Sequence, residues 1–400
     1  MESRLNDLDT FRAELAQWLE ANCPPRLRTP IVADEMVWGG SRLTFAFEEQ
    51  RLWFERCRER GYFAPGWPKE FGGAGLSPKQ ERVFEQEMAR LGCRQPQYNL
   101  GVWMLGPVLL EVGTSAQKLE HLPPMMRGER RWCQGFSEPN AGSDLASLKT
   151  SARLDEGGTH YLVNGAKIWT SDGDKADWMY ALVRTDNTGR KQEGISFVMI
   201  DMADPGVTVK PIELIGGKSS FCQVFFDNVR VPLRNLVGQP GQGWAVAKKL
   251  LQHERAAMGK FAEGGAPSHD ALALGRQYLY DADGGLRDAV LRERLATTLM
   301  DAQAFALTSQ RLKEQALARQ DVSGLAAIMK LVQTEQEVAK YELLEQLMGL
   351  RGLGWEGDEF SADEQAVCRA WLNTKAYTIG GGTSEVQLNI IAKRVLGLPG

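Results

Sequence analysis

Apolar residues recur at three- and four-residue steps near the start of the chain. Leu8, Phe11, Leu15, Trp18 and Leu19 fall on one face of a helix. The same period runs through residues 48–60, stops at Gly61, and resumes over 78–91 and 105–112. Pro107 suits a first helical turn, where its missing N–H would have no intrahelical partner anyway. Residues 63–75 are rich in Gly and Pro and read as a loop. The chain to about residue 131 is therefore expected to be helical.

From residue 132 to about 237 the period shortens. Runs rich in β-branched and aromatic residues cover 161–163, 179–183, 195–200, 207–209 and 222–226. Turn formers stand between them: Gly157-Gly158, Asn164-Gly165, Gly216-Gly217 and Asp227-Asn228. Asn164-Gly165 between two apolar runs predicts a hairpin. This stretch reads as a small all-β domain of about a hundred residues. Helical periodicity returns at Gly243, with one helix over 244–258 and long segments over 286–319 and 324–348. Residues 264–285 read as irregular. A glycine-rich loop at 349–357 precedes a final pair of helices, punctuated by Gly380-Gly381-Gly382.

The order is helices, β domain, helical bundle, divided at 1–131, 132–240 and 241–400. An open α/β sheet would alternate strand and helix, and no GxGxxG follows a strand, so the doubly wound dinucleotide fold is excluded. The 400 residues are 43% hydrophobic and 24% charged, which suffices for a large core. The net charge of −4 comes from interspersed residues with no basic stripe, against nucleic acid or an anionic membrane as partner. No 18-residue apolar run and no signal-type start are seen. Six scattered cysteines form no CxxC pair, which argues against a structural metal and fits a reducing cytoplasm.

Three segments carry candidate chemistry: WCQGFSEPNAGSD at 132–144, NGAKIWTSDG at 164–173, and IGGGTSEVQLNIIAKRVLGL at 379–398. The first is a polar turn leaving a strand, with backbone N–H groups and hydroxyls at close range. On its own terms it is equally an ordinary capped turn. Trp169 at a strand end is equally a core tryptophan, since 11 must be placed. Thr383-Ser384-Glu385 has the pattern of a capped helix start.

Together with FFDNVRVPLRNLVG at 225–238, these segments resemble the acyl-CoA dehydrogenases along essentially the whole chain. The resemblance implies a mostly α fold with a central β-barrel domain between two helical domains. It implies FAD, an acyl-CoA substrate, electron-transfer flavoprotein as acceptor, and a tetramer or at least a dimer. The implied reaction takes the α-proton and passes the β-hydride to flavin N5, giving a trans-2-enoyl-CoA. By resemblance, Gln134, Phe136, Ser137, Gly142, Ser143, Trp169, Thr170, Ser171, Thr383 and Glu385 touch FAD, and Ser143 also touches the acyl-CoA.

The base departs from the best-known members. Many carry a glutamate immediately before the Gly-Thr of the last segment, where this chain has Gly381. Another branch carries it on the first helix after the β domain, where this chain has Gln252-His253-Glu254-Arg255. The resemblance implies Glu254 as base, Arg255 as a substrate-orienting cation, and Gly381 as a backbone donor to the thioester carbonyl. A helical glutamate beside an arginine also fits a solvated surface. A second departure lies at 273–299, which lacks the family's arginine, two residues, phenylalanine and glycine. That arginine reaches a neighbouring subunit's FAD in family tetramers. A similar pattern occurs in bacterial members acting on bulky or dicarboxylic acyl-CoAs, some as two-gene α2β2 assemblies. Two readings stand: a complete dehydrogenase, or one subunit of a heteromer with a shared or incomplete site.

Overall fold

The computed structural model describes residues 2–29, 31, 35–217, 219–264, 269–279, 288–318, 320 and 322–399. It divides into two compact units, one of residues 1–212 and 219–267, the other of 213–218 and 268–400.

The first unit opens with α1 (Glu2–Asn22), α2 (Glu48–Glu59), α3 (Pro78–Arg90), α4 (Gly106–Val112) and α5 (Ser115–Met126). The expected apolar stripe of α1 packs inward, with Leu15 and Leu19 buried and Leu8, Phe11 and Trp18 laid against the core. Ser77 and Thr114 close capping boxes on α3 and α5, satisfying N–H groups that a helix start leaves free. Pro107 sits in the first turn of α4, as its ring requires.

Eight strands follow: β1 (Trp132–Gly135), β2 (Ser151–Leu154), β3 (His160–Ser171), β4 (Trp178–Arg184), β5 (Ile195–Asp201), β6 (Val207–Pro211), β7 (Phe221–Pro232) and β8 (Leu236–Val237). They form one sheet in the order β6-β7-β3-β2-β4-β5-β8, with β1 parallel to β4. The expected barrel is not closed among the described residues. Closure would need β6 to pair with β8, and β8 is two residues long before the chain turns into a helix. Tyr180, Leu182, Phe197 and Met199 face the helices, while Met179, Ala181, Val183 and Val198 meet Val163, Val224, Val229 and Val231 of β3 and β7. Burial on both faces explains the unbroken apolar runs of β4 and β5.

Asn164-Gly165 is not a hairpin turn, and Asp227-Asn228 is not a turn between strands. Both lie inside continuous strands, β3 and β7, which pair antiparallel on either side of a register shift between Val163 and Gly165. Asn228 sits at φ 51° within that shift, its N–H donates to Asn164 Oδ1 at 2.9 Å, and Asn164 Nδ2 donates to Asn228 Oδ1 at 3.1 Å. Residues that tolerate positive φ serve a bulge as well as a turn.

α6 (Gly243–Gly264) closes the first unit. It packs on β5 and the π turn Gly101–Leu105, burying Val246, Ala247 and Leu250 in the same core as the N-terminal helices. By packing it lies with the first unit, while the sequence division at 240 sets it with the helices that follow.

The second unit holds α7 (Ala271–Leu279), α8 (Ala289–Leu317), α9 (Ser323–Met348), α10 (Ala362–Thr374) and α11 (Ser384–Ile390). α7 interrupts the stretch expected to be irregular, and the rest of 264–285 is largely outside the described residues. Its core joins Leu274, Leu295, Leu343, Leu344, Leu347 and Val367. The described apolar residues in the second half of α9 therefore serve their own unit.

His121 on α5 is fully buried between the rings of Trp132 and Trp178, centroids 5.4 and 5.0 Å away. Burial, then the charges of Arg130 and Arg234, depress its pKa to about 4. An unfolded histidine titrates near ~6.5, so between these values the unfolded chain binds the extra proton. His121 thus contributes stability present above about pH 6.5 and lost as pH falls toward 4. Urea midpoints should drop across that window, and His121→Phe should flatten the drop; an unchanged pH profile in the variant would rule His121 out as a cause.

Candidate active site

β1 lies parallel to β4 and leaves the sheet at Phe136. The Phe136 ring is buried edge-on to Tyr180 and Phe197, at 6.1 and 6.2 Å. Glu138 and Ala141 exchange two backbone hydrogen bonds of 3.0 Å, closing a tight turn over Pro139 and Asn140. Gly142 follows with no atom within 4 Å of where a Cβ would stand, and Ser143 is exposed. Gln134 Oε1 accepts from the Tyr180 hydroxyl at 3.2 Å.

The end of β3 lies beside this turn. Ile168 N–H donates to the Ser137 carbonyl at 2.9 Å. Lys167 is fully buried, and its ammonium donates to Glu138 Oε1 at 2.8 Å and to the Phe136 carbonyl at 3.2 Å. Burial alone would raise Glu138, but the Lys167 charge and hydrogen bond hold it below the usual carboxylate value. Burial pulls Lys167 down to about 8 against the opposing pull of Glu138. The two sequence segments thus meet.

Trp169 is not a core tryptophan. It stands at φ 60° with 53% of its surface exposed, edge-on to Phe221 at 6.1 Å. A bulky residue in this region costs on the order of 1–3 kcal/mol and persists only where its surroundings enforce it. The enforcing features are the register shift between Lys167 and Thr170 and the anchoring beyond it. There Asp172 ion-pairs with Arg131 at 2.9 Å, and the Arg131 guanidinium lies 4.6 Å over the Trp38 ring. Thr170 points the other way: it is fully buried, and its Oγ1 has no hydrogen-bond partner among the described residues. Ser171 is half-buried.

On α6, Glu254 continues the stripe of Ala247, Leu250 and Leu251, three and four residues apart. It is half-buried, and burial followed by the Glu254 charge pushes the buried Tyr180 phenol well above its usual value. His253 faces outward and meets Glu111 at 3.0 Å, with Lys249 on the same carboxylate at 2.6 Å. The side chain of Arg255 lies outside the described residues.

In the second unit, Gly381 and Gly382 stand at φ 68° and 100°, which only glycine adopts freely. Lys330 on α9 donates to the Gly382 carbonyl at 2.6 Å. Thr383 caps α11, its hydroxyl accepting from Val386 N–H at 3.2 Å. Glu385 is exposed in the first turn, held below its usual pKa by its own backbone N–H and the Thr383 hydroxyl. Of the capping pattern read from the sequence, Thr383 is the cap and Glu385 stands in the first turn, while the Ser384 hydroxyl takes no part among the described residues.

Three side chains that sequence reasoning did not single out shape these places: Lys167, Tyr180 and Lys330. A signal existed for Lys167, since opposite charges stand in two adjoining motifs. No sequence signal marks Tyr180, whose importance depends on the helix packed against it.

Comparison with known proteins places these features. The sequence matches the acyl-CoA dehydrogenase N-terminal domain over 7–129, the middle domain over 133–229 and the C-terminal domain over 241–396. An acyl-CoA dehydrogenase of Mycolicibacterium smegmatis, IpdE1, is 36% identical, with 98% of each chain covered. The solved Tcur3481-Tcur3483 steroid ACAD is similar at TM-score 0.73 and 29% identity, over 98% of both chains. The ChsE4-ChsE5 complex from Mycobacterium tuberculosis is similar at TM-score 0.71 and 28% identity, again over 98% of both.

The orphaned Thr170 hydroxyl gives a direct test. A buried hydroxyl without a partner costs about 1–3 kcal/mol, so an apolar replacement of similar shape should not destabilise. Thr170→Val should keep or raise Tm and leave FAD content unchanged, whereas Ser171→Ala should lower FAD content. A Tm loss of several degrees in Thr170→Val would show that the hydroxyl is bonded after all.

Proposed function

The chain belongs to the acyl-CoA dehydrogenases, an FAD-dependent family of oxidoreductases, and from that premise we propose that it converts an acyl-CoA thioester to the trans-2-enoyl-CoA with Glu254 as the α-proton base. The observation that carries the assignment is the inward register of Glu254 on α6, close enough to Tyr180 for its charge to be felt there. Gly381, at the family's other base position, has no side chain to compete.

The first unit's residues fit FAD. An exposed indole held at a strained φ beside Ser171 offers a flat apolar surface, and Gly142 leaves open space beside the 136–143 turn. We assign Gln134, Phe136, Ser137, Gly142, Ser143, Trp169 and Ser171 to the cofactor, with Thr383 and Glu385 added by the resemblance. Thr170 contributes backbone only, since its side chain points away. Bound FAD supplies the acceptor for the β-hydrogen and its electron pair. Glu254 holds and removes the α-proton, and its partly buried setting limits competition from water. The resemblance adds the Gly381 N–H as donor to the thioester carbonyl as negative charge develops on oxygen. Ser143 orients the acyl-CoA, and electron-transfer flavoprotein is the external acceptor.

A heteromer is the second reading. It is favoured by the two solved relatives, each named as a pair, and by the missing arginine–phenylalanine segment. The steroid named in one of them makes a bulky polycyclic acyl group the first substrate to try. The second unit also exposes Val290, Met300, Leu307 and Leu350 at 65, 71, 57 and 85%. Such apolar exposure on one unit fits a subunit contact. We place the enzyme in the cytoplasm, in keeping with six free thiols, and no helix among the described residues is long and apolar enough to cross a membrane.

Glu254→Gln keeps size and hydrogen bonding but removes the basic site. Anaerobic flavin reduction by acyl-CoA should fall at least ~100-fold, with FAD content intact. Near-normal reduction would falsify the assignment. Light scattering should give a dimer or larger, either alone or with a homologous chain co-expressed; a monomer at micromolar concentration under both conditions would contradict the assembly.

A further inference from the structure

Glu138 and Lys167 take no part in the reaction above, yet they form a buried ion pair between the two segments assigned to the flavin. We propose that this pair is the positioning element of the flavin site, locking residues 136–138 to the end of β3 so that Phe136, Ser137 and Trp169 keep one geometry. The proposal rests on the cofactor reading above.

Stability alone does not account for the pair. Taking both charges out of water costs about as much as their attraction returns, and apolar side chains of similar volume often pack as well or better. What the pair provides is direction. Three consecutive residues of the turn are held by two consecutive residues of the strand. The Phe136 carbonyl accepts from Lys167 Nζ at 3.2 Å, the Ser137 carbonyl accepts from Ile168 N–H at 2.9 Å, and the Glu138 carboxylate accepts from Lys167 Nζ at 2.8 Å. Glu138 also accepts from the N–H groups of Lys149 at 2.7 Å and Thr150 at 2.8 Å, which fixes the approach to β2. The carboxylate is thus fully engaged and cannot swing.

Position along the strand strengthens the case. Lys167 is paired with Val224 of β7, and the register slips immediately after it. Ile168 and Trp169 lie within that slip, and Trp169 takes its left-handed φ there. Lys167 is therefore the last regularly paired residue before the indole turns outward. Removing its anchor frees both the turn on one side and the strained residue on the other.

The test compares FAD affinity with stability. Lys167→Met, Glu138→Gln and the double variant are titrated with FAD as apoprotein, at a temperature where far-UV circular dichroism shows each to be folded. Single variants leave one buried charge unpaired and should lose both Tm and affinity. The double variant leaves no unpaired charge, so part of the Tm should return. Affinity should not return, remaining ~10-fold or more below wild type, the range seen when partners behind a binding group are lost. Trp53→Phe, in α2, is the destabilised control and should keep wild-type affinity despite a lower Tm. Wild-type affinity in the double variant would overturn the proposal, as would equal loss of affinity in the Trp53 control. Glu138→Gln is read by the same criterion and carries the test where Lys167→Met does not fold. A wild-type protein that takes up no FAD would overturn the cofactor reading instead, and this one with it.

Discussion

Burial of β4 and β5 on both faces is the constraint on which the first unit depends. Residues 179–183 and 195–200 have essentially no exposed surface. Each fully buried large apolar side chain is worth about 1.5–3 kcal/mol. The layer therefore outweighs local costs of about 1–3 kcal/mol such as the strained Trp169. It also provides a fixed reference. β1 is registered on β4, Phe136 is seated on Tyr180 and Phe197, and α6 is packed on β5. Moving any of these moves the rest, so precision at the candidate site is inherited from the core beneath it.

Periodicity made the helices and most strands legible, because burial of one face imposes the period directly. The failures have a common physical form. Asn164-Gly165 was read as a turn because its backbone tolerance is a local property. Whether tolerance becomes a turn or a bulge depends on Asn228, which lies across the sheet and far along the chain. Barrel closure depends on β6 meeting β8, and the sequence does not mark that β8 is only two residues long.

The site was legible where residue type fixes chemistry and opaque where environment does. Thr383 was read as a helix cap because a hydroxyl before a helix has little else to do. Thr170 was grouped with its neighbours because strand alternation could not be phased through a bulge. Trp169 fits a core position in the sequence as well as any other, and its exposure on a left-handed backbone is what takes it out of the core. Lys167 illustrates the limit most sharply. A lysine in a strand reads as solvent-facing, and its burial is permitted only by a carboxylate from another segment.

α4 and α6 carry two glutamates in unlike settings, Glu111 and Glu254. Glu111 is exposed, takes Lys249 and His253, and draws on interactions that solvent weakens. Glu254 follows His253 by one residue, about 100° around the helix, and so faces the core. Lys249 and His253 stand one turn apart, so their shared hold on Glu111 resists rotation of α6 about its axis. Such a rotation would exchange the wet and dry faces. A latch of modest energy can therefore matter to packing: it need not stabilise the fold appreciably to keep Glu254 turned toward Tyr180.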